Sequence, residues 1–196
     1  MKKFIFIIIV ACSVSFASQT NAQCLEKGKI MIDVYYGWPN LLSKALKTFY
    51  ITGSTYSGYK ATSMGPLGGR FEYLLGGKIG LGLEVNYANS GIEWTETPYT
   101  YKVSAPRLSI MPRFNYHFIN KDNFEMFIAA ALGYKSWNIN FETNDPNYSG
   151  NISYNPSSFG YRFAWGMRLF FTDNIGANFE LGVGGALLTG GLTAKF

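Results

Sequence analysis

The chain has 196 residues, a formal net charge of +5, 17% aromatic side chains and 15% charged ones. A positive balance so mild and so dispersed excludes nucleic acid as a partner. One histidine, His117, and two cysteines, Cys12 and Cys24, leave no cluster for a metal.

The first element is an address. Met1-Lys2-Lys3 is a basic start, residues 4–10 form an unbroken apolar run, and Thr20-Asn21-Ala22 ends in a small residue before Gln23. This is the pattern of a secretory signal peptide, residues 1–22, cut after Ala22. As a membrane anchor the apolar run is too short, since a spanning helix needs about 20 residues. A lipoprotein reading through Cys12 leaves too little hydrophobic sequence, and Gln23 is the wrong size to precede a processed Cys24. Removal of residues 1–22 takes away Lys2 and Lys3, leaving 15 basic and 12 acidic residues, or +3. It also takes away Cys12, so Cys24 has no partner for an internal disulfide. What remains, residues 23–196, is one domain of about 174 residues, room for about eight strands of about ten residues with loops but not for sixteen.

The first expected strand, residues 29–37, points Ile30, Ile32, Val34 and Tyr36 to one side and Met31, Asp33 and Tyr35 to the other. A long gap, 38–63, follows. The second strand, 64–75, alternates Leu67, Phe71, Tyr73 and Leu75 against Arg70 and Glu72. Gly76-Gly77-Lys78 is a tight turn into the clearest strand, 79–88. There Ile79, Leu81, Leu83, Val85 and Tyr87 oppose Gly80, Gly82, Glu84, Asn86 and Ala88. A second gap runs from 89 to about 101. The fourth strand sets Leu108, Ile110, Phe114, Tyr116 and Phe118 against Arg107, Arg113, Asn115 and His117.

A turn at 120–123 leads to the fifth strand, with Phe124, Met126, Ile128, Leu132 and Tyr134 opposed to Glu125, Ala129, Ala131, Gly133 and Lys135. The third gap, 141–157, is rich in Asn, Ser, Pro and Gly. The sixth strand sets Phe159, Tyr161, Phe163, Trp165, Met167 and Leu169 against Gly160, Arg162, Ala164, Gly166 and Arg168. Thr172-Asp173-Asn174 turns into the seventh, with Ile175, Phe179, Leu181 and Val183 opposed to Gly176, Asn178, Glu180, Gly182 and Gly184. The eighth closes at Phe196.

One face of every strand is large and apolar; the other is glycine with isolated charges. That combination suits a narrow closed antiparallel up-and-down transmembrane β-barrel, all-β, with lipid outside. The connections alternate long and short in the phase of a barrel that starts in the periplasm, so both termini are expected there and the long gaps outside the cell; only the connection near Gly184-Gly185 breaks the rhythm.

In strand phase, inward Arg and Glu positions and the ending Gly191-Leu192-Thr193-Ala194-Lys195-Phe196, the whole mature chain resembles the small eight-stranded outer-membrane barrels, OmpA/OmpX-like, especially their single-domain members. The resemblance implies residence in the bacterial outer membrane among its lipids. It also makes Phe196, as the final aromatic of the last strand, the signal read by the barrel-assembly machinery. No peptidoglycan-binding domain follows, so the anchoring role of larger relatives is not implied. The inward Arg70, Glu72, Glu84, Arg113, Glu125, Arg162, Arg168 and Glu180 are expected to form a structural charge network in the lumen. Unpaired charge there would be costly, and small barrels fill with side chains. Glu84 with Arg113, and Arg168 with Glu180, lie on neighbouring strands at similar depth.

Some eight-stranded barrels deacylate or acylate lipid A, which needs a nucleophile with a base. His117 lies at the periplasmic end, is followed by Phe118-Ile119 rather than a serine, and faces the wrong leaflet, so no catalytic residue or cofactor is assigned. In the first gap, Leu41, Leu42, Ala45, Leu46 and Phe49 recur at helical spacing behind Asn40, a candidate cap. Segment 40–50 reads either as a cover over the mouth or as a contact surface. The expectation is a non-enzymatic barrel with a plugged lumen, serving envelope structure or surface interaction and adhesion through extracellular loops. A narrow ion- or solute-conducting pore is the alternative, ahead of a lipid-modifying enzyme.

Overall fold

The computed structural model describes residues 26–39, 60–76, 78–148 and 152–196. The expected signal peptide, Cys24 and the segment 40–50 lie outside the described residues. Eleven strands run through the described chain: β1 (Ile30–Trp38), β2 (Lys60–Gly76), β3 (Ile79–Glu96), β4 (Tyr99–Ser104), β5 (Arg107–Lys121), β6 (Phe124–Trp137), β7 (Ile139–Thr143), β8 (Ile152–Tyr154), β9 (Ser157–Phe170), β10 (Ile175–Val183) and β11 (Leu188–Lys195).

Eight of them, β1, β2, β3, β5, β6, β9, β10 and β11, close into an antiparallel ring in which β2 pairs both β1 and β3 and β1 pairs β11. The seam between the first and last strands extends to Phe196. Its N–H donates to the Ile30 carbonyl at 2.9 Å, and its carbonyl accepts from the Ile30 N–H at 3.0 Å.

The period of two holds around the ring. Ile32, Val34, Leu81, Leu83, Phe163 and Leu181 stand out from the wall, while Asp33, Glu84, Arg162 and Glu180 are buried inside it. Burial is inverted relative to a water-soluble barrel: polar groups are sequestered and aliphatic and aromatic ones exposed, the solution for a wall whose solvent is hydrocarbon.

The two later gaps are shorter than the sequence suggests. β3 continues past residue 88 to Glu96, turns at Thr97-Pro98 and returns as β4, with Trp94 opposite Tyr101. β7 and β8 lie within or beside the expected third gap, and β4 pairs β7. These three short strands form a sheet extending beyond the ring at the end opposite the short turns. We call these the loop end and the turn end. Ala105-Pro106 and Asn155-Pro156 mark the joints between extension and ring, where proline has no N–H to give a ladder. At those joints the Asn138 and Trp137 amides instead donate to the Pro106 and Pro156 carbonyls, at 2.9 and 3.0 Å.

Alternation continues into the extension. Its lumen side gathers aromatic rings: Trp94 stacks on Tyr101 with centroids 5.5 Å apart, and Tyr148 meets Tyr101 edge-on at 6.0 Å. Its outer side places Glu93 opposite Lys102 and Lys102 opposite Glu142, the latter pair joined at 3.1 Å.

The Tyr101 hydroxyl donates to Asp145 at 2.7 Å. That bond pushes the hydroxyl from 10.0 up to about 12. The Asn147 backbone amide, and then Tyr101, hold the Asp145 carboxyl below its usual range. Asp145, depressed on folding, contributes order that is present above its unfolded value and lost as acid titrates it. Tyr101, raised on folding, contributes order that is present below its unfolded value and lost as base ionises it. The loop tip is therefore expected to keep its structure between about pH 4 and pH 10 and to loosen on both sides. Tyrosine-ring carbon NMR of the protein and of Tyr101→Phe checks this; a Tyr101 signal titrating with the exposed tyrosines would contradict it.

Candidate functional site

The lumen fills from the turn end upward. Met31, Leu74 and Phe170 form an apolar floor. Above them lies a tier centred on Arg168, which reaches three carboxylates from three other strands: Asp33 at 2.8 Å, Glu72 at 2.9 Å and Glu125 at 2.5 Å. Arg168 and Glu125 are directly opposite in the β6–β9 ladder, so register alone delivers that pair. Asp33 and Glu72 come from across the barrel.

His117 belongs to this tier. Its Nε2 is 2.7 Å from Glu72 and its Nδ1 3.3 Å from Glu125, so both ring nitrogens face carboxylates, the setting of an imidazolium. Phe127 packs beside the ring at 5.5 Å, with the Arg168 guanidinium 4.7 Å from its centroid. Gly80 is required here, because a Cβ at this position would stand 1.8 Å from the Glu72 carboxylate.

The second tier holds Arg70, Arg113 and Arg162 around Glu84 and Glu180. Arg113 bonds Glu84 at 2.6 Å and also reaches Glu180. Arg70 meets Glu180 at 2.9 Å and Arg162 meets it at 3.1 Å. Tyr35 donates its hydroxyl to Glu84 at 2.6 Å, and its ring lies under the Arg70 guanidinium at 3.7 Å. Arg70 and Asp33 are 3.9 Å apart, joining the tiers.

All eight lumen residues singled out from the sequence lie in these two tiers, but not all with the expected partners. Glu84 and Arg113 meet. Arg168 and Glu180 do not: Arg168 is opposite Asn178 on β10, Glu180 is opposite Gly166, and each turns to another tier. The single depth expected for them is two depths. Asp33, Tyr35 and His117, inward by the period of two but outside the eight, also join the network; their signal in the sequence is the same inward position of an ionisable or hydroxyl group.

The buried set comprises Asp33, Glu72, Glu84, Glu125 and Glu180 against Arg70, Arg113, Arg162, Arg168 and His117. With His117 doubly protonated, positive and negative charges match. Such a set ties together strands from different sides of the lumen. Each carboxylate is engaged by a cation, which leaves little basicity for activating a nucleophile. Among the described residues, no group of three or more His, Cys, Asp or Glu is placed to hold a metal ion.

The family described as outer membrane protein beta-barrel domain matches residues 8–186. No curated protein matches the chain. Similar solved structures include the following three. The N-terminal β-barrel domain of OprF from Pseudomonas aeruginosa is 14% identical, covering 88% of this chain and 100% of that one, with a TM-score of 0.45. OprG from the same organism is 13% identical, covering 87% and 97%, with a TM-score of 0.47. Ail, the attachment invasion locus protein of Yersinia pestis, is 10% identical, covering 87% and 99%, with a TM-score of 0.46.

Proposed function

Because this chain belongs to the outer membrane protein beta-barrel domain family, we propose that it acts without enzymatic chemistry, as a closed scaffold whose loop end carries its surface contacts. The observation that supports a scaffold over a pore is the two-tier network itself. Ten mutually paired side chains occupy the lumen, and above them the space narrows to a cavity of about 10 Å³, close to the room one water needs. A hydrated ion crossing would have to separate several buried ion pairs at once, each costly to break. Contact with outer-membrane lipid falls to the exposed apolar wall. Envelope structure or adhesion falls to the extension of β4, β7 and β8. Phe196, hydrogen-bonded into the seam, is the proposed assembly signal.

Planar-bilayer recording of the refolded protein tests this reading. A plugged scaffold gives no steady current at physiological salt; reproducible ion-selective steps would favour the narrow pore. The orientation proposed with it places residues 1–22 in a cleaved signal peptide, both termini in the periplasm and the loop end outside the cell. An epitope inserted between Asn147 and Tyr148 should then be reached by antibody on intact cells, and one inserted after Asp173 should not. Labelling only at Asp173 would invert the barrel.

A further inference from the structure

Above the second tier, at the loop end, the lumen holds the small cavity bordered by Tyr35, Asn86, Arg107, Lys135, Arg162 and Gly184. Its charge is one-sided. Lys135 reaches only the Gly184 carbonyl, at 3.4 Å. Arg107 rests on the Trp137 ring at 5.2 Å and keeps a buried Nε with no acceptor. Neither cation has a carboxylate partner among the described residues. Arg162, only 2% exposed, forms the floor; its Nε lies 3.6 Å from Glu84 without a hydrogen bond. Glu84 is the one carboxylate bordering the cavity, and it is already engaged by Tyr35 and Arg113.

Among the described residues no other carboxylate is paired with either cation; at the same end of the barrel Glu142 bonds Lys102 and Asp145 accepts from Tyr101. The ten residues of the two tiers balance one another once His117 is counted as a cation. Residues 40–59 and 149–151 contain no Asp or Glu at all. Two half-buried cations therefore face a water-sized space without a counter-charge, a costly arrangement unless something offsets it.

We propose that this vestibule binds one small inorganic anion of chloride size, held between Arg107 and Lys135 above Arg162. The sign follows from the lining, which repels cations. The size follows from the volume of about 10 Å³, one water-sized particle. The site requires no current through the barrel, because the network closes its floor.

The test measures urea unfolding of the refolded protein in lipid vesicles, in sodium chloride and in sodium gluconate at equal ionic strength, so that general screening is common to both. Binding to the folded state alone lowers the unfolding equilibrium constant about tenfold for each tenfold rise in chloride above the dissociation constant. The double variant Arg107→Gln/Lys135→Met is expected to lose that dependence. A chloride dependence equal in the two proteins, or absent from the unaltered one, overturns the site. If the variant fails to fold, anomalous diffraction from crystals of the unaltered protein in bromide decides. A bromide peak in contact with both Arg107 and Lys135 supports the proposal, and an empty vestibule overturns it.

Discussion

Arg168→Met is expected to lower the unfolding free energy of the barrel in lipid vesicles by about 3–5 kcal/mol, the magnitude associated with breaking a buried pair from one side. Methionine is long enough to occupy much of the same space, so the loss reports on charge more than on volume. What it removes is the cation shared by Asp33, Glu72 and Glu125, leaving three carboxylates with His117 and the distant Arg70. Arg168→Lys keeps the charge but not the fork of donors, and should fall between the two. Adding Asp33→Asn and Glu125→Gln to Arg168→Met should recover part of the loss, because the stranded charges are then gone. Urea titration followed by tryptophan emission measures all four proteins. An Arg168→Met effect below about 1 kcal/mol, the level of an exposed pair, would mean that water reaches this tier and that the lumen is not plugged.

The second large effect belongs to the outer wall. Leu83 is 41% exposed and lies between Phe71 and Pro112 of the adjoining strands, midway along the stretch Ile79–Ala88 where β3 pairs β5 in the ring. Leu83→Arg is expected to cost about 2–4 kcal/mol in vesicles, the penalty for a cation near the bilayer midplane. Thr95→Arg, on the exposed side of the extension, should change stability by less than about 0.5 kcal/mol. In detergent, where the belt is thinner and more deformable, the Leu83→Arg penalty should shrink. Equal small effects at both positions in vesicles would place residue 83 outside the hydrocarbon.

These two expectations differ in how far the sequence carried them. The placement of Leu83 outside and Arg168 inside follows from a period of two, which is local and survives any error in strand boundaries. The partners of Arg168 are not local. They depend on strand tilt and on the stagger acquired when the ring closes, which bring Asp33 within 2.8 Å across 135 positions of sequence. Adjacency in the chain pointed to Glu180 instead. The extension was hidden for a different reason. Ile92, Trp94, Tyr101 and Val103 keep the alternation of their strands, yet 89–101 reads as a gap, with Pro98 inside it and Pro106 just beyond. Both prolines fall between strands rather than within them, at the hairpin tip and the joint. The Arg107 and Lys135 vestibule was legible only as two inward cations; the absence of an acid beside them needed the register of β5 and β6.

The seam between β1 and β11 has a consequence for how this chain comes into being. Every other ladder of the ring joins segments close in sequence, so each hairpin can form as soon as its second strand is available. The seam joins Ile30 to Phe196, and closing so long a loop is slow compared with hairpin formation. Until that last ladder zips, the growing sheet has two bare edges and a wall of exposed hydrocarbon, the combination most prone to joining other chains. An emerging copy is therefore in greatest danger just before completion.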